Sequence, residues 1–273
     1  MKPIELFQEK VDDVRFRGFG GTAIQMHRAI KQVKLSRKNL AFSLLLPPVF
    51  NLLLLGFLGA ILACWEWMFD YWLRHLAPGA GMARHAIDLG LFEIHLSYPQ
   101  LTASEPSYSN WVITFCLTLI ALLLTFRIAH DRLLPLAFIV RACTLIQFTS
   151  LAYFFFLPGH FPHDAASALG DALSMSIYFL FLIPWLLGLT YYIFNFSLLK
   201  KMALTAVMIV YFAAALPMQY LLHGLIFHHF SLLFAPLLYL VFGIFIDVMM
   251  FVALYSWGMS WDTPDRQRKL AHS

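Results

Sequence analysis

Six long, mainly apolar runs divide the chain, near Leu40 to Met68, Trp111 to Ala129, Leu133 to Leu157, Leu173 to Asn195, Met202 to Leu222 and Ser231 to Trp257. Each can cross a hydrocarbon core, which takes about 20 helical residues. Backbone groups in lipid must bond internally, and the runs lack the shorter alternating pattern of membrane barrel strands, so helices are the only reading. The pattern predicts an all-α integral membrane protein, a bundle of about six transmembrane helices. Five spans would result if the second and third were one broken hairpin, and seven if Leu89 to Leu96 dipped into the membrane.

The polar stretches between the runs set the domain organisation. Residues 1–39 precede the bundle, and within them Ile4 to Phe16 and Thr22 to Leu35 mix basic residues with apolar ones at near-helical spacing, such as Ile24, Ala29, Ile30 and Val33. Gly18, Gly20 and Gly21 separate the two stretches. This predicts an amphipathic cytoplasmic arm of two short interfacial helices, resting on anionic lipid or docking a cytoplasmic protein. The segment Arg17 to Gly21 is no phosphate loop, because it lacks a Lys-Ser/Thr ending and a preceding strand. The six-span bundle occupies 40–258, with an outer loop at 70–110, and a cytoplasmic tail follows at 259–273. No cleavable signal peptide is expected before the first span, since the residues ahead of it are largely polar and the apolar run is too long for a signal sequence.

Trp65, Trp67, Tyr71 and Trp72 open the outer loop, and Tyr108 and Trp111 close it, as an aromatic belt at a water interface would. Between them, Leu91 to Leu96 partly alternates and reads as a short strand or a re-entrant piece. The loop is too small for a core of its own, so it caps the bundle or touches another protein.

Composition agrees with lipid as the main solvent: 60% of residues are hydrophobic and 12% charged, too few for the surface of a soluble domain of this length. The net charge of +4 does not call for nucleic acid, because the basic residues cluster at membrane edges beside anionic headgroups. Lys2, Lys10, Arg15, Arg17, Arg28, Lys31, Lys34, Arg37 and Lys38 lie before the first span, Arg127 and Arg132 after the second, Lys200 and Lys201 after the fourth, and Arg266, Arg268 and Lys269 after the sixth. Only Arg74 and Arg84 face the other way. Positive charge is retained in the cytoplasm, so both termini are expected there, in a cell membrane of the bacterial inner-membrane kind. Cys64, Cys116 and Cys143 lie in apolar surroundings without paired spacing, which supports neither a disulfide framework nor a thiolate metal site.

Chemistry enters at three places. Arg141 in the third span and Asp247 in the sixth are full charges in lipid, at depths of about 12 Å and about 16 Å from the same side at 1.5 Å per residue. They are expected to pair, directly or through Gln147, Asn51 or a water, as an ion pair that fixes helix register rather than as a proton or ion relay. Gly56 with Ala60 offers a small face for close helix approach.

Histidines supply the third place. His75, His85, His95, His160, His163, His223, His228 and His229 fall on the side poor in Lys and Arg. His160, His163 and Asp164 after the third span, with His223, His228 and His229 before the sixth, could converge on a transition metal, since imidazole and carboxylate suit zinc, copper, iron or nickel. Neither pattern carries the His-Glu-x-x-His helix that would fix ligand geometry, and interfacial histidines also have an ordinary amphipathic role. His130 and Asp131 sit in a tight turn that offers no pocket for a general base.

No other cofactor is expected, and nothing marks the chain as an enzyme. The leading expectation is a non-enzymatic subunit or scaffold of a larger membrane assembly, with membrane lipids and another membrane or cytoplasmic protein as partners. An outer-facing histidine-based metal-handling protein or metalloenzyme comes second, and a small transporter or channel third.

Overall fold

In a computed structural model that describes residues 37–88, 93–103, 106–127, 133–157, 165–191 and 197–261, six helices are long and apolar enough to cross a membrane. The protein is a multi-pass helical membrane protein. The five continuous spans are α1 (Arg37–Leu76), α2 (Tyr108–Phe126), α3 (Leu134–Phe156), α4 (Ala165–Tyr191) and α5 (Leu198–His229). The sixth is broken into a 3-10 turn (Leu232–Phe234), a short α6 (Ala235–Tyr239), a π-helical segment (Leu240–Phe245) and α7 (Ile246–Ser260). Most of the arm and tail, together with His160, His163 and Asp164, lie outside the described residues.

The loop after α1 is not wholly irregular. Strands β1 (Gly81–Asp88) and β2 (Glu93–Gln100) form an antiparallel hairpin in which Gly81 pairs with Gln100 and Asp88 with Glu93. The alternation at Leu91 to Leu96 marks part of β2, whereas β1 has no comparable signal in the sequence. Gly79 turns the chain from α1 into β1 at a φ of 110°, a left-handed conformation that glycine adopts without a Cβ clash. The hairpin closes one end of the bundle, with Ile87, Leu96 and Leu101 buried against it.

Within lipid, apolar burial drives helix association weakly, and close packing and hydrogen bonds decide which faces meet. On α1 the buried face is Leu46, Phe50, Leu54, Leu58, Trp65, Phe69 and Leu73, repeating mostly every fourth residue, and it packs on α4 and α5. Gly188 of α4 lets α1 come close: a Cβ there would lie 2.6 Å from Pro47 Cγ and 2.9 Å from the Ser43 carbonyl. At Gly56, by contrast, a Cβ would meet nothing within 4 Å, and Ala60 is exposed. The expected small face at Gly56 and Ala60 is therefore not a contact among the described residues.

Proline in α5 makes a second joint. Pro217 has no N–H to give to the carbonyl four residues back, Ala213. The Trp65 indole donates to that oxygen at 2.7 Å, which satisfies a buried acceptor and ties α1 to α5 in one bond. At the end opposite the hairpin, the Tyr191 hydroxyl lies 2.7 Å from Thr205 Oγ1 and donates to the Lys201 carbonyl, while Lys201 Nζ caps the Tyr191 carbonyl at 2.9 Å. A buried lysine thus supplies donors to the C-terminal end of α4, where helix carbonyls are otherwise unpaired.

The second and third spans form a separate pair. α2 and α3 pack on each other, and the pair meets the rest of the bundle chiefly where α3 touches the start of the sixth span. Gln147 Nε2 and Ser150 Oγ both donate to the Leu233 carbonyl, at 2.9 and 2.7 Å. Pro236, three residues on, cannot give that carbonyl a 3-10 hydrogen bond, so α3 supplies its donors.

Candidate functional site: a cavity beside the sixth span

Charges within the membrane are the costliest groups in a bundle of this kind. Arg141 does not reach Asp247. Its Nε donates to Thr125 Oγ1 at 3.0 Å and its terminal nitrogen to the Thr125 carbonyl at 3.2 Å, with the guanidinium over the Phe126 ring at 4.7 Å. These partners lie at the C-terminal end of α2, whose last carbonyls attract a cation, and α3 packs on α2 closely enough to offer them. The expected bridging groups are also engaged elsewhere. Gln147 serves Leu233, and the Asn51 amide, oriented to satisfy both contacts, donates to the Phe181 carbonyl at 3.1 Å and accepts from the Trp185 indole at 2.9 Å. Asp247 instead faces Gln219 of α5, and the Gln219 Nε2 atom is buried without a hydrogen bond of normal geometry.

The histidines are placed differently from the expectation that they sit on connections. α5 continues through His229, about two turns beyond its expected end at Leu222, which puts His223, His228 and His229 on a helix. His228 Nδ1 lies 2.9 Å from the Thr102 carbonyl, and His229 Nε2 lies 3.0 Å from the Leu76 carbonyl. A carbonyl only accepts, so in both bonds the ring nitrogen carries the proton and donates. These two imidazoles clamp the chain around the hairpin onto the end of α5. His223 is buried, with its ring edge-on to Tyr220 at 5.5 Å, and it lies beside the backbone of Phe242 in the π-helical segment. Among the described residues, no three His, Cys, Asp or Glu side chains are arranged to hold a metal.

What the helices do create is a cavity. α4 and the sixth span both pack against α5 but stand apart from each other, leaving a space of about 690 Å³. Its walls are helical stripes: Ala168, Ala172, Met175 and Phe179 from α4, Leu216, Tyr220, His223 and Phe227 from α5, and Leu232, Pro236, Tyr239 and Asp247 from the sixth span. Most of this lining is apolar, and the polar exceptions are Asp171, Ser176, Tyr220, His223, Tyr239 and Asp247. Ser176 spends its hydroxyl on the Ala172 carbonyl of its own helix at 2.9 Å.

Local geometry explains why a space remains there. A π-helical turn closes hydrogen bonds one residue further on than an α-helix does, so it widens the helix, and such turns occur frequently at functional sites. Here the π segment separates Tyr239 from Asp247, with both on the cavity wall. Hairpin packing holds the far side. A Cβ on Gly170 would lie 3.3 Å from the Tyr98 ring, and one on Gly224 2.8 Å from Leu101, so two glycines let the end of β2 and the residue after it seat against α4 and α5 at the cavity's end.

Asp171, Tyr220 and Tyr239 were not among the residues singled out from the sequence. Asp171 falls outside the expected fourth span, which begins at Leu173, whereas the helix starts at Ala165 and places the carboxylate about 9 Å inside it. The small and apolar residues Ala165 to Leu169 extend the run and place Asp171 inside the span. The tyrosines carry no signal of their own in a chain that is 16% aromatic.

Comparisons with protein-family models, with curated proteins and with solved structures give no match to this chain.

Proposed function

We propose that the protein binds an amphiphilic molecule drawn from the bilayer, held in the cavity between α4, α5 and the sixth span. The observation that carries this reading is the cavity itself: about 690 Å³, largely apolar, with a few convergent polar groups, the usual make-up of a small-molecule site. Its position supports a lipid-like ligand over a water-soluble one, because two walls are transmembrane helices that also carry exposed Leu182, Leu189, Leu240 and Phe245 away from the cavity lining. The distribution of Lys and Arg favours both termini in the cytoplasm and the hairpin outside, in a bacterial inner membrane, so the cavity runs from the outer end of the bundle to about mid-depth at Asp247.

The test is ligand retention. Extracted in mild nonionic detergent and examined by native mass spectrometry, the full chain is expected to keep one lipid-like adduct, and Ala172→Trp, which fills the cavity, to lose it. Leu52→Trp on the exposed face of α1 serves as the control. Equal adducts on all three proteins would sink the reading.

A second reading, a non-enzymatic subunit of a larger membrane assembly, draws on the α2–α3 pair. Trp111, Phe115, Phe148 and Phe155 line a shallow aromatic groove there, on spans that leave most of their surface to lipid or to another membrane protein.

A further inference from the structure

We propose that the cavity selects an amphiphile with a cationic head group, an amine or a quaternary ammonium. This rests on the amphiphile reading above and adds a charge to it.

Charge balance is the first argument. Two carboxylates, Asp171 and Asp247, line the cavity, and among the described residues no lysine or arginine does. Four basic side chains of the helices have partners elsewhere, Arg74 pairing with Asp70. Arg141 is held by Thr125, Lys200 donates to the Trp261 carbonyl, and Lys201 donates to the Tyr191 carbonyl at the end of the bundle opposite the hairpin. Among the described residues, neither carboxylate has a salt-bridge partner. An ionised carboxylate in a membrane interior needs a counter-charge, and a bound cation supplies it. An anionic head would meet two like charges. A neutral head would leave both carboxylates without a counter-charge.

Aromatic rings provide the second argument. Phe179, Tyr220, Phe227 and Tyr239 stand around the same space. The negative faces of such rings attract organic cations, most strongly where water is excluded, as in the aromatic cages that hold quaternary ammonium groups. Depth then assigns roles to the two acids. Asp171 is exposed and lies about 9 Å inside α4 from the hairpin end, so it meets an entering cation first. Asp247 is half-buried and lies about 22 Å along the sixth span from Leu232, so it holds the head group at rest.

Three photoreactive alkyl diazirines of equal chain length, ending in trimethylammonium, hydroxyl or sulfate, test this on the full chain in maltoside micelles. Crosslinks on cavity peptides of α4 and α5 are divided by those on lipid-facing α2, which cancels differences in micelle partition. The ammonium probe is expected to favour the cavity about tenfold over the hydroxyl probe, equivalent to one desolvated charge contact. Asp247→Asn should bring that ratio close to one, Asp171→Asn should lower it less, and Asp247→Glu should preserve it and show that the variants fold. Equal cavity labelling by ammonium and hydroxyl probes overturns the charge inference while leaving the amphiphile reading intact, as does an undiminished preference in both Asn variants. If no probe labels the cavity above α2, both fall together.

Discussion

Two groups of helices in this protein are equally suited to lipid and are assembled by different means. In α4, which packs with α1 and α5, half of the most apolar stretch is buried within the protein; in α2, which packs with α3, only 17% is. The first group is joined through close backbone approach at Gly188, an indole filling the bond that Pro217 cannot make, and a lysine capping a helix end. The second is joined to the rest by a few polar bonds, from Gln147 and Ser150 to the Leu233 carbonyl and from Asn110 to the Phe230 carbonyl. A membrane bundle can therefore have one part joined by close packing and another joined through a few polar bonds. The cavity lies between α4, α5 and the sixth span, and the sixth span is also the element that α3 packs on.

This contrast can be broken in three ways. The largest effect is expected from Gly188→Leu, which pushes a side chain into Pro47 and the Ser43 carbonyl and should cost about 3 kcal/mol, read as a lowered thermal midpoint in detergent. An unchanged midpoint would mean that α1 and α4 are not locked as described. A smaller loss, about 2 kcal/mol, is expected for Gln147→Leu combined with Ser150→Ala, because the Leu233 carbonyl then loses both side-chain donors. Hydrogen exchange around Leu232 to Phe234 should speed up while α4 and α5 stay protected. Each single variant should cost less than half of the double, since the other donor remains, and strict additivity would disprove the shared acceptor. The smallest effect, below about 0.5 kcal/mol, belongs to Gly56→Leu, whose new side chain meets open space. A large loss there would instead reveal a partner on that face of α1, which sharpens the assembly reading.

Span number was legible in the sequence because lipid demands long apolar runs, and the six helices lie where the runs do. Which face of each helix turns inward was not. On α1, Leu46 and Leu54 are buried while Leu45 and Leu53 beside them are exposed, and hydrophobicity cannot separate them when both surroundings are apolar. Helix ends were misjudged for a related reason: Asp171, His228 and His229 read as loop residues, although a helix tolerates them wherever a cavity or a carbonyl receives them. Two features of the site were visible from the start, the intramembrane Asp247 and His223. Their setting was not, because the expected partner of Asp247, Arg141, found a nearer one in Thr125 at the end of the neighbouring helix. A threonine that also bonds its own helix gives no periodic signal.

The π-helical segment in the sixth span has a consequence for how substitutions and length changes act on the site. An α-helix that widens to i→i+5 bonding has taken up about one residue more than its turn requires. Every residue beyond it is rotated by about 100° from where an unbroken helix would present it. Asp247 follows the segment directly, two positions after Phe245. Shortening Leu240–Phe245 by one residue would restore a regular helix and swing the carboxylate about a quarter turn away from the cavity, with no side chain of the site altered. The aim of the acid is thus set by the length of the chain rather than by any contact the acid makes.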